Sequence, residues 1–112
     1  MENENDIIVD DNPETELLAA MLQRYVWPTV KGRITADDFE DIRNRTVFEA
    51  IAWIEGRGRI SDVTYVGNRL KDTLCRLHLA SHAYVLAVAK KKRHMSVENA
   101  IGALQKRRRE KA

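Results

Sequence analysis

The sequence predicts an all-α protein: a compact orthogonal bundle of about five or six helices that ends in a helical hairpin. Apolar residues recur at helical spacing along most of the chain, and alternating strand patterns are almost absent. Only 5 Gly and 2 Pro interrupt its 112 residues. A composition of 44% hydrophobic and 32% charged residues suits one folded domain with a modest core and is too apolar for disorder throughout.

Residues 1–11 read as a disordered acidic leader, and 12–112 as the helical domain. Asn12-Pro13-Glu14 supplies an N-cap, a proline for the first turn and an acid for the helix dipole. Leu17, Leu18, Met21, Leu22 and Tyr25 follow as an apolar stripe, which Pro28 ends or kinks. Thr35-Ala36-Asp37-Asp38 has capping-box spacing and introduces Phe39 and Ile42. A strong helix is expected from about Arg43 to Glu55, with Val47, Phe48, Ile51, Ala52 and Ile54 inward. Gly56 and Gly58 supply its stop.

Ser61-Asp62 starts the next helix, with Val63, Val66 and Leu70 inward. Residues 73–81 read equally as a loop or as its extension. From His82 to about Lys92 a helix is expected to bury Tyr84, Val85 and Val88. Ser96 caps a last helix with Val97, Ala100, Ile101 and Leu104 inside, ending in Lys106-Arg107-Arg108-Arg109. The expected core is therefore Leu18, Leu22, Phe39, Val47, Phe48, Ile51, Val63, Val66, Leu70, Tyr84 and Ile101.

The net charge of +2 hides a polarity. Residues 1–55 carry 13 acidic and 5 basic side chains; residues 56–112 carry 4 and 14. Such asymmetry suggests head-to-tail self-association, or a basic end aimed at nucleic acid or at an acidic protein. A solvated surface with segregated charges explains it equally. The candidate contact residues are Lys90, Lys91, Lys92 and Arg93 with Lys106, Arg107, Arg108 and Arg109. Phosphate contact, an acidic protein partner and plain solvated helix ends all remain open for them.

Other chemistry is weakly supported. Cys75, His78 and His82 would share a face of a helix, yet a structural zinc site wants four ligands and no fourth is at hand. Trp27 and Trp53 could stack on bases, although Trp53 inside an apolar helix reads better as core or interface. Asp37-Asp38 and Glu40-Asp41 read as first-turn acids rather than a catalytic pair. Neither a catalytic residue nor a metal or other cofactor is expected. The longest apolar run, Ala83 to Ala89, falls far short of the roughly 18–20 residues that span a bilayer. The acidic N-terminus lacks the form of a signal peptide, and a single cysteine allows no internal disulfide, so the cytoplasm is the expected compartment.

The order of motifs carries more. Glu14-Thr15-Glu16-Leu17-Leu18-Ala19-Ala20-Met21-Leu22 is similar to the opening helix of the N-terminal domain of DnaB-type replicative helicases. Asp37-Asp38-Phe39 resembles that family's acidic-Phe element, and Arg45-Thr46-Val47-Phe48 its next helix. Ile60-Ser61-Asp62-Val63-Thr64 resembles its Pro-Ile-Asp-hydrophobic-Thr turn, and Leu70 and Tyr84 fall at its spacings. The pattern runs without a gap from Phe39 to Tyr84 and more loosely from Pro13 to Arg109.

The chain departs from the family in three places. Asn44 stands where His is usual, Ala80-Ser81 replaces a Gly pair, and Lys90-Lys91-Lys92-Arg93 occupies a turn that often holds Pro. The resemblance implies a collar domain of a hexameric helicase that docks primase, hence a non-catalytic interaction domain of DNA replication. The implied partners are further copies of itself and a replicative helicase, primase or helicase loader. No Gly-x-x-x-x-Gly-Lys-Ser/Thr loop occurs, so no ATPase motor accompanies it. The polar ending slightly favours a complete small protein, with a piece of a longer helicase as the alternative. The rival reading is a small helical DNA-binding module or regulator with its basic C-terminal half on phosphates; no helix is basic through its central turns, as a recognition helix would be.

Overall fold

The computed structural model describes residues 7–59, 61–74 and 82–111, with the side chains of 71–74 set aside. Within them lie six α-helices and no strand: α1 (Pro13–Gln23), α2 (Trp27–Val30), α3 (Ile42–Gly56), α4 (Val63–Leu74), α5 (His82–Ala89) and α6 (Val97–Lys111). A 3₁₀ turn, Ala36–Asp38, precedes α3.

α1 is the centre of the fold. A full capping box starts it: the Asn12 side chain accepts from the Thr15 amide (3.1 Å), and the Thr15 hydroxyl accepts from the Asn12 amide (3.2 Å). α3, α5 and α6 pack around it, so every residue from Glu14 to Leu22 is buried, including two glutamates. A one-sided stripe therefore describes this helix poorly. Tyr25 departs from the expected stripe: α1 ends at Gln23, Arg24 is extended, and Tyr25 is 60% exposed. Pro28 does not end α1 but sits in the first turn of α2.

The Thr35 box forms as expected, with the Thr35 amide donating to Asp38 Oδ2 (2.8 Å), but it closes only the 3₁₀ turn. Asp41 then caps α3 through the Arg43 amide (2.8 Å). Phe39 and Phe48 pack ring to ring at 4.9 Å, whereas Ile42 points out and is 51% exposed. Past α3 the chain turns at Gly58, whose φ of 75° is left-handed. Asp62 caps α4 through the Tyr65 amide (2.9 Å). α4 lies between α3 and α5, and Gly67 lets it approach α5 closely: a Cβ there would fall 2.6 Å from the His82 ring.

Leu18, Leu22, Phe39, Val47, Phe48, Ile51, Val66, Leu70, Tyr84 and Ile101 are buried, and Val63 is half-buried at the rim. α5 stops at Ala89, short of Lys92, and Gln23 from the end of α1 caps it by donating to the Ala89 and Lys91 carbonyls (2.9 Å each). α6 begins where the Asn99 amide meets Ser96 Oγ (3.1 Å). The last two helices follow one another as a hairpin does, yet α6 packs principally on α1, and α5 on α4 and α1. Of the leader, Ile7 and Val9 pack against the core, and Thr15 Oγ1 donates to the Asp10 carbonyl (2.6 Å).

Candidate interaction surface

The basic residues singled out in the sequence must be placed against the acids they meet. Glu14 and Glu16 are two residues apart on α1, about 200° around the helix, so they face opposite sides. Glu14 accepts from the Glu40 amide (2.8 Å), Asn44 Nδ2 (3.0 Å) and Arg107 (2.6 Å). Glu16 accepts from the His94 and Met95 amides (2.6 Å each) and pairs with Lys91. Asp38 accepts from the Thr35 amide and pairs with Arg108, whose Nε lies 2.7 Å away. A buried carboxylate costs several kcal/mol unless paired and hydrogen-bonded, and all three are both. Burial pushes Glu16 up, but the Lys91 ammonium and the two amides outweigh it and hold its carboxyl below the usual range. Asp38 is likewise pushed up by burial and held lower by Arg108 and the Thr35 amide.

These ties engage part of each basic cluster within the chain. Lys91 is almost covered, bridging Glu16 and Asp11 (2.7 Å). Arg93 donates to Gln23 Oε1 (3.2 Å). Arg107 reaches Glu14 and Glu40, Arg108 reaches Asp38, and Lys111 reaches Glu40 (2.5 Å). Lys90 is exposed, as are Lys92, Lys106 and Arg109. These last three form no ion pair among the described residues. The acidic half of the sequence thus meets the basic half inside one chain, and the charge polarity by itself calls for no second copy. As partners of the basic residues, Glu14, Glu16 and Asp38 are not evident from the sequence, where they read as first-turn acids. Carboxylates embedded in the run before Leu17 and Leu18 are the one available sign of burial.

A polar chain crosses the core beside this clamp. Asn44 donates to Glu14 and accepts from the Tyr84 hydroxyl, joining α1, α3 and α5. The Arg43 guanidinium lies 4.4 Å from the Tyr84 ring centroid. Burial pushes Tyr84 up to about 12, so its hydroxyl is a donor at every physiological pH.

A family model described as DnaB-like helicase N terminal domain matches residues 9–104 of the chain. The chain belongs to that family. No curated protein and no solved structure matches it. As a DnaB-like helicase N-terminal domain it is a domain of the replicative helicase family, and its family motifs have structural roles here: Asp38 holds Arg108, Phe39 meets Phe48, and Tyr84 anchors Asn44. Asn44, the departure from His, joins Glu14 to Tyr84 with one donor and one acceptor and no titration. Arg107 and Arg108 lie beyond the matched residues.

The remaining candidates separate. Cys75 and His78, like Ile60 and Ala80-Ser81, lie outside the described residues. His82 packs on Gly67, and among the described residues no three His, Cys, Asp or Glu side chains converge on a metal position. Among them, too, no helix is long and apolar enough to cross a membrane. Trp27 is half-buried, 6.2 Å from the Phe48 ring. Trp53 is not in the core: it is 40% exposed, with the guanidinium groups of Arg57 and Arg69 at 3.9 and 3.8 Å from its ring centroid.

Proposed function

We propose that this DnaB-like N-terminal domain is a non-catalytic interaction domain of DNA replication. It associates with itself and with a replicative helicase, primase or helicase loader in the cytoplasm, as part of a primosome. The family match across most of the chain carries this reading. The charge distribution supports protein contact over nucleic-acid contact, because Lys91, Arg107 and Arg108 are engaged with Glu16, Glu14 and Asp38. The sequence holds no phosphate-cradling Gly-Lys loop.

Purified chain passed over immobilised helicase, primase and loader at moderate salt should be retained by at least one. Passage through all three would reject the reading. Sedimentation at tens of micromolar should show at least a dimer. Because the opposite charges are paired within the chain, that association should survive high salt; a monomer at both low and high salt would count against it.

The DNA-binding alternative rests on Lys92, Lys106 and Arg109, the exposed cations of the two clusters that form no ion pair among the described residues. They would give weak, sequence-independent affinity.

A further inference from the structure

A second surface lies away from the α1–α6 clamp, on the outer faces of α3 and α4. Trp53 and Arg57 are one turn apart at the end of α3, and Tyr65 and Arg69 one turn apart on α4, so each pair shares a helix face. Trp53 is 40% and Tyr65 48% exposed, and both guanidinium groups stack on the indole. We propose that this face is a docking site for an acidic segment of a protein partner, one of whose carboxylates takes the outer edge of the stacked Arg57 guanidinium. The inference deepens the reading of the chain as an interaction domain and rests on it.

Charge complementarity selects the occupant. Arg57 and Arg59 are exposed and form no ion pair among the described residues, unlike the arginines of α6 that face carboxylates. Among the described residues, two nearby acids are engaged elsewhere: Glu55 accepts from the Ser61 amide and hydroxyl (3.0 and 2.8 Å), and Asp62 caps α4. Stacking holds a guanidinium's plane while leaving its edge N–H groups outward, the geometry that takes a carboxylate in two parallel bonds. Trp, Tyr and Arg are also the side chains that dominate protein–protein binding energy. A nucleic-acid base would have to displace a guanidinium to stack on the indole, whereas a carboxylate leaves the stack intact. A polypeptide is therefore favoured over a single strand.

The test uses a fluorescein-labelled peptide of alternating Glu and Leu, its Gln-for-Glu counterpart and labelled oligothymidine, each titrated with the full chain at low salt. Saturable binding of the acidic peptide is expected, at least about tenfold tighter than its Gln counterpart. Arg57→Gln and Trp53→Ala should each weaken it by about tenfold, while Lys106→Ser with Arg109→Ser leaves it unchanged. If circular dichroism shows that Trp53→Ala unfolds, Arg57→Gln decides alone, since Arg57 is exposed at a helix end. No binding of the acidic peptide, or equal binding by the Arg57→Gln variant, would overturn the proposal. So would oligothymidine that binds more tightly than the peptide and is lost in Arg57→Gln. If a replication protein is retained but neither the peptide nor Arg57→Gln affects it, the patch is wrong and the function stands. If the peptide binds while no replication protein is retained, the patch stands and the replication role fails.

Discussion

Glu16 ties three parts of the chain together in one side chain: its own helix α1, a lysine from the turn after α5, and two amides leading into α6. Removing one partner of such a buried pair leaves the other charge uncompensated, so Glu16→Ala should cost about 3–5 kcal/mol in denaturant unfolding. The pH dependence follows from the lowered carboxyls of Glu16 and Asp38. A group whose folded pKa lies below its unfolded value contributes fully above the unfolded value and loses that contribution as pH falls through the folded one. Stability should therefore be level above the ordinary value of 4.5 for a glutamate and fall below it. Thermal melts should show a shallower acid loss in Glu16→Gln, and an unchanged acid limb would contradict the assignment. Tyr84→Phe should cost about 1–2 kcal/mol by leaving the Asn44 carbonyl without its donor. In the sequence Asn44 stands out only as a replaced His, because nothing local shows that Glu14 and Tyr84 converge on it.

The helices are the legible part. Periodicity locates α3 to within a residue at each end, and the caps Asn12, Asp62 and Ser96 all act at their helix starts. Periodicity reports one buried face, however, and α1 is buried on all of them, so its apparent stripe runs on to Tyr25 although the helix has ended. The sequence overextends α5 because Lys90, Lys91 and Lys92 are good helix formers; Gln23 and Glu16, distant in sequence, end the helix and hold the turn. Phe48→Ala should cost about 3–5 kcal/mol, since its ring meets both Phe39 and Trp27. A Phe48→Ala protein that melts like the wild type would mean α3 does not face the core this way. Asn12→Ala should cost about 1 kcal/mol through the lost capping box.

For the whole molecule, the separation of acids and bases along the sequence is the signature of its fold. The first helix and the 3₁₀ turn supply carboxylates, and the turn before α6 and the end of α6 supply the cations that close on them. Composition displays the asymmetry but not its direction, because only the fold decides whether opposite charges meet within a chain or between chains. Here Lys91, Arg107, Arg108 and Lys111 of the basic half are engaged by the chain's own acidic half. The affinity for duplex DNA against salt concentration tests that engagement most directly, since each neutralised phosphate contributes about 0.9 to the slope of log affinity against log salt. With Lys92, Arg93, Lys106 and Arg109 as the cluster cations left outside ion pairs among the described residues, weak binding is expected, with the two clusters contributing a slope no steeper than about −4. Tight binding with a slope of about −5 or steeper that Arg57→Gln with Arg59→Gln leaves unchanged would mean that roughly six or more phosphates are held elsewhere, and that the clamp between the two halves opens in solution.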